Sequence, residues 1–127
     1  MQGKHLYEYA VIRLVPRVER EEFFNVGIIL FSKRAKYIKA LYKVDEDKLN
    51  LFSSELDRES LFANLHVFDK ICSGTKEGGP IAALDIPERF RWLTAVRSAS
   101  IQTSRPHPGF SDDLDRTLEM LFRELVL

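Results

Sequence analysis

Phe23-Phe24-Asn25-Val26-Gly27-Ile28-Ile29-Leu30-Phe31 is the stretch whose reading decides the fold. It carries no charge, is rich in β-branched and aromatic side chains, and lies between Glu21-Glu22 and Ser32-Lys33-Arg34, the pattern of a strand inside a sheet. A strand that is apolar on both faces needs cover on both. Alternation assigns Phe24, Val26, Ile28 and Leu30 to the face packed by helices, and Phe23, Asn25, Gly27, Ile29 and Phe31 to the other. Polarity is therefore expected on the odd-numbered face.

Leu6 to Pro16 alternates in the same way, with Leu6, Ala10, Ile12 and Leu14 on one parity and Tyr7, Tyr9, Val11, Arg13 and Val15 on the other. Pairing aliphatic parity with aliphatic parity puts Arg13 on the face of Asn25, because a slip of one residue would drive Arg13 into the core. After a short turn over Ser32 to Ala35, Lys36 to Val44 predicts a third strand with Ile38 and Ala40 inward and Tyr37, Lys39, Leu41 and Lys43 outward. Downstream, Asp45 and Asp57 are placed to cap two helices, the second carrying Leu61, Leu65, Phe68 and Cys72 at helical spacing and closed by Gly74. Ser73 to Pro80 has the composition of a flexible loop. Pro87 suits the first turn of a helix burying Phe90, Leu93 and Val96, with Trp92 alongside. Ser100 to Ser104 predicts a fourth, edge strand, and Pro106-His107-Pro108-Gly109 a rigid turn. Ser111 or Asp112 then caps a terminal helix with Leu114, Leu118, Leu121, Phe122 and Leu125 on one face. The order predicts an α+β fold: a three- to four-stranded antiparallel sheet, meander first, packed with about four helices in a single domain over residues 1–127.

A chain of 127 residues buries roughly two thirds of its unfolded surface and folds without a disulfide or metal. The lone Cys72 can make no internal bridge and leaves nothing for a Cys-based zinc cluster. The opening Met1-Gln2-Gly3-Lys4-His5 has no signal-type hydrophobic core, and no apolar run has membrane-spanning length, so a soluble, cytoplasmic protein is expected. Lys plus Arg equals Asp plus Glu at 19 each, yet residues 1–44 hold nine basic and four acidic side chains and residues 45–127 hold ten and fifteen. The plainest cause is two halves with different solvated faces; an anion-binding surface is the alternative.

No phosphate-binding loop, dinucleotide fingerprint, zinc-protease helix or nucleophile elbow occurs in the sequence. Gly74-Thr75-Lys76 lacks the preceding hydrophobic strand a phosphate cradle needs, and Asp45 and Asp47 fail as a calcium loop because Leu49 stands where a third oxygen ligand belongs. No cofactor or metal is implied. Cys72 lies on an apolar helix stripe and reads as an inert buried thiol. Two groups of residues carry potential function. Arg13, Asn25, Lys39 and Lys43 with Tyr7, Tyr9 and Tyr37 share the odd sheet face, where rings and cations together suit single-stranded nucleic acid. The apolar Phe23, Ile29 and Phe31 of the same face instead favour cover by a helix or a protein partner. Arg97, Gln102 and His107 make the second group: a permanent cation, an amide and an imidazole held between prolines, suited to an anionic substrate with a proton to move if all three meet at one sheet edge.

The run Tyr9-Ala10-Val11-Ile12-Arg13-Leu14-Val15-Pro16-Arg17-Val18-Glu19-Arg20-Glu21-Glu22-Phe23-Phe24-Asn25-Val26-Gly27-Ile28, with Arg97-Ser98, Ile101-Gln102-Thr103-Ser104 and His107-Pro108-Gly109, resembles a bacterial family of short proteins whose domain has no known function. Members are often encoded beside HipA-like kinases, so the resemblance implies such a kinase as a neighbour and carries over no catalytic residues. The expected function is a non-catalytic partner-binding or accessory module, with a HipA-like kinase or a second copy of the chain as candidate partner. A small enzyme using Arg97, Gln102 and His107, and a nucleic-acid binder using the sheet face, are the alternatives.

Overall fold

The computed structural model describes residues 4–17, 22–51, 58–95 and 100–127. Strand β1 (His5–Arg17) is the longest element of the sheet and pairs on one side with β2 (Glu22–Ser32), which in turn pairs with β3 (Tyr37–Tyr42), all antiparallel. On its other side β1 pairs with two short segments, β4 (Ile101–Thr103) and β5 (His107–Ser111). The sheet thus has five strands, and helices α1 (Glu46–Leu51), α2 (Arg58–Ser73), α3 (Ile86–Leu93) and α4 (Leu114–Leu125) complete an α+β fold.

His107 to Ser111, expected to begin as a rigid turn, continues the edge of the sheet. Ser104 makes this possible: its amide donates to the Val11 carbonyl and its hydroxyl accepts from the Val11 amide, so the chain stays latched to β1 while Arg105 and Pro106 step outward. Pro108 fits because an edge strand can spare an N–H donor.

The uniform alternation expected along β2 breaks at Gly27. Ile12 lies opposite Gly27 and Arg13 opposite Asn25, which leaves Val26 as the extra residue of a β-bulge. The bulge reverses the parity. Phe24 and Val26 share one core with Ile29 and Phe31, together with Ala10, Ile12 and Leu14 of β1, beneath Leu61, Phe68 and Cys72 of α2 and Phe90 and Leu93 of α3. Ile28 and Leu30 turn to the opposite face, where Val11 joins Leu114, Leu118 and Leu121 of α4 in a second core. A charge-free strand is covered on both faces as its composition demands, but helices take both sides. Gly27 is required by the close approach, since a Cβ there would sit 2.6 Å from the Leu41 carbonyl oxygen.

Local signals account for most helix boundaries. The Asp45 carboxylate accepts from the amides of Asp47 and Lys48 at the start of α1. At the end of α2, Gly74 adopts φ 73° while its amide donates to the Ile71 carbonyl and that of Thr75 to the Lys70 carbonyl, a Schellman closure. Asp57 and Val96 lie outside the described residues. Ser73 to Pro80 is not an open loop, because two 3-10 turns, Lys76–Gly78 and Pro80–Ala83, fold it back onto α2. Helix α4 is capped by Asp113, which accepts from the Arg116 amide, rather than by Ser111 or Asp112. Ser111 instead accepts from the Asp113 amide and bonds the Thr117 hydroxyl, tying β5 to the helix.

Candidate functional site

The β-ladder merges the two residue groups that the sequence kept apart. Arg13 lies directly opposite Asn25 on one side and Gln102 on the other, so cation and two amides cross β2, β1 and β4 in one row. Farther along the same face Tyr9 lies opposite His107, their ring centroids 5.2 Å apart, and Tyr7 continues the aromatic row at 6.4 Å from Tyr9. Helix α4 packs on β2 and β3, with Tyr7 and Tyr9 half-buried at the margin of its core; among the described residues His107 beyond them is exposed and Arg13 and Gln102 are half-buried.

Each member is held differently. The Arg13 guanidinium lies 4.3 Å above the ring of Phe23, a residue 50% exposed, while the Arg13 Nε is buried without a hydrogen-bond partner. This is a cation–π pair at the surface, with the guanidinium partly stripped of water. Asn25 uses its amide to donate to the Leu125 carbonyl at 2.8 Å, satisfying one of the orphan acceptors at the end of α4. Its role is to clasp the helix, and the signal was a lone amide inside an apolar strand. The Tyr7 ring lies across Gly109, where any Cβ would come within 2.4 Å of the hydroxyl. Burial first, and Tyr9 second, push the Tyr7 hydroxyl above its ordinary range.

Lys39 and Lys43 do not join this row. Lys39 sits on β3 beyond α4 and pairs at 3.4 Å with Asp115, which also accepts from the Tyr37 hydroxyl at 2.7 Å. Burial and then that hydrogen bond raise Tyr37, while the Tyr37 bond and then the Lys39 charge lower Asp115. The three residues thus lash β3 to the first turn of α4. Lys43 is exposed just past the end of β3. Arg97 lies outside the described residues. Gln102 and His107 share a face but not a reacting centre, because Arg13 and Tyr9, their partners on β1, are separated along the strand by roughly 13 Å.

Elsewhere, a groove at the Leu6–Phe110 end of the sheet holds none of Tyr9, Arg13, Asn25, Gln102 or His107. Cys72 is buried against Asp69 and Arg89, and its thiol is pushed up to about 12, chiefly by burial. Among the described residues no group of three His, Cys, Asp or Glu side chains is arranged to hold a metal ion, and no helix is long and apolar enough to cross a membrane.

An α+β protein with a half-covered antiparallel sheet is the class these observations define. Residues 9–126 match the family described as "Protein of unknown function (DUF3037)", and the chain belongs to it. No curated protein and no solved structure matches the chain.

Proposed function

We propose that this protein is a non-catalytic, partner-binding accessory module that recognises its partner through the part of the sheet α4 leaves uncovered. The observation that carries this reading is Phe23, half exposed beneath the Arg13 guanidinium at the margin of the strip. Aromatic and Arg side chains are enriched among the residues that dominate binding energy at protein interfaces. The strip is long. Its polar groups are spread along roughly 13 Å of strand, whereas proton transfer or nucleophilic attack needs groups within about 3 Å of one atom. That spacing suits an extended surface contact better than turnover of a small anion.

A HipA-like kinase, the neighbour that the family resemblance implies, is the first partner to test, and the domain acts as one unit spanning residues 1–127. Phe23→Ser combined with Arg13→Glu is expected to abolish co-purification with that kinase while the far-UV spectrum stays native. Full retention of the complex would remove the strip from consideration. The row Tyr7, Tyr9 and His107, with neighbouring centroids 6.4 and 5.2 Å apart, favours a second reading in which bases of single-stranded nucleic acid stack on the rings. A salt-dependent shift of single-stranded RNA, lost in Tyr9→Ala, would select that reading over the first.

A further inference from the structure

A groove of about 600 Å³ opens where β1 begins and β5 ends, on the face opposite Tyr9 and His107. Leu6 and Phe110 lie directly across from each other there and are 54% and 59% exposed, with Phe31 of β2 beside them. Leu6 and Phe110 lie outside the core beneath α2 and α3, whereas Phe31 belongs to that core and stacks on Phe90 of α3. Lys4, Lys33 and Arg34 line the same groove, and none of the three is in an ion pair among the described residues. Glu8 is the carboxylate in the lining, so three cations face one anion around an apolar floor. The outer edge of β5 is poorly suited to receiving an added strand, because Pro106 and Pro108 supply no N–H donor. Recognition here must work through side chains.

We propose that this groove docks a partner segment bearing one large apolar side chain between Asp or Glu residues. The apolar anchor packs on Leu6 and Phe110, removing from water surface that the fold itself leaves exposed. The flanking carboxylates meet Lys4, Lys33 and Arg34, which fix the segment's position and repel basic sequences. The inference is independent of the Arg13–Phe23 strip, which lies on the other face.

The test uses the intact chain and three short fluorescein-labelled peptides: one Phe flanked by Glu, the same Phe flanked by Lys, and Ala flanked by Glu. Fluorescence anisotropy should show the Glu-flanked Phe peptide binding at least about tenfold more tightly than either control, and weakening as salt rises. Phe110→Ser should weaken it about tenfold, as should Lys33→Glu with Arg34→Glu, two charges on an exposed turn whose change spares the fold. Amide chemical-shift changes should gather on β1 and β5 near Leu6 and Phe110. Equal binding of the Lys-flanked peptide, no saturable binding up to millimolar peptide, or shifts gathered elsewhere would each overturn the proposal. So would a dimer of the free chain, seen by light scattering, that Phe110→Ser converts to monomer, since the occupant would then be a second copy.

Discussion

At Gly27 the missing side chain is a packing requirement, because a Cβ would stand 2.6 Å from a backbone oxygen of β3 and 3.1 Å from Ile12. Backbone cannot yield as a flexible side chain can, so Gly27→Ala is expected to cost about 1 to 3 kcal/mol, read as a lower urea midpoint at unchanged slope. An unchanged midpoint would mean that β3 does not approach β2 so closely there. Asn25 acts through one hydrogen bond to Leu125, and Asn25→Ala should cost about 1 kcal/mol and speed amide exchange in the last turn of α4. Asn25→Asp should be worse, since a carboxylate cannot donate to that carbonyl. Cys72 gives a prediction in pH. Burial, then Asp69, raise its thiol from 9.0 to about 12 against the opposing charge of Arg89, so the folded state holds this proton more tightly than the unfolded chain does. Its contribution to stability is complete below pH 9.0 and is lost as pH rises towards about 12. The melting temperature should therefore fall across that window less steeply in Cys72→Ala, and a thiol reagent at pH 8 should label Cys72 only after denaturant is added.

Helix α4 is the element that turns an exposed sheet face into a second core. Its Leu118, 1% exposed, packs with Ile28 and Leu30 of β2. Leu118→Ala is expected to cost about 2 to 5 kcal/mol through lost burial and the cavity left behind, and Ile28→Ala a similar amount, both measured by equilibrium unfolding. Because the two residues share one core, the double variant should lose less than the sum. Additive losses would show that α4 packs elsewhere. The helix is fastened at both ends, by Tyr37 and Lys39 on Asp115 and by Asn25 on Leu125, which is why residues chosen for their charge and polarity partly serve as clasps. Edge strand β5 is fastened by Ser104 and by Ser111, and its Pro108 lacks a donor that an edge can spare.

Over the sheet, α2 and α3 cover one face and α4 the other; among the described residues, side chains stay open at the Leu6–Phe110 end of β1 and β5 on the first face and around Phe23 and His107 on the second. The two uncovered regions, the Arg13–Phe23 strip and the Leu6–Phe110 groove, lie on opposite faces of the sheet. Much of this was legible in the sequence. The charge-free run Phe23 to Phe31, the alternation of Leu6 to Val15 and the apolar stripe of Leu114 to Leu125 each follow from local periodicity, which requires no knowledge of the neighbours. That Arg13 shares a face with Asn25 followed because a slip of one residue would bury a cation, and the ladder makes the two direct partners. What the sequence left undecided depends on contacts between distant segments. The need for glycine at position 27 answers to the carbonyl of Leu41, and the strand at His107 to the latch between Ser104 and Val11, 93 positions apart. Tertiary structure alone brought Gln102 opposite Arg13 and His107 opposite Tyr9, and the same ladder holds the two pairs roughly 13 Å apart. Periodicity assigns faces only while a strand stays regular; the bulge at Val26, the register and the reach of a covering helix decide which faces stay open to a partner.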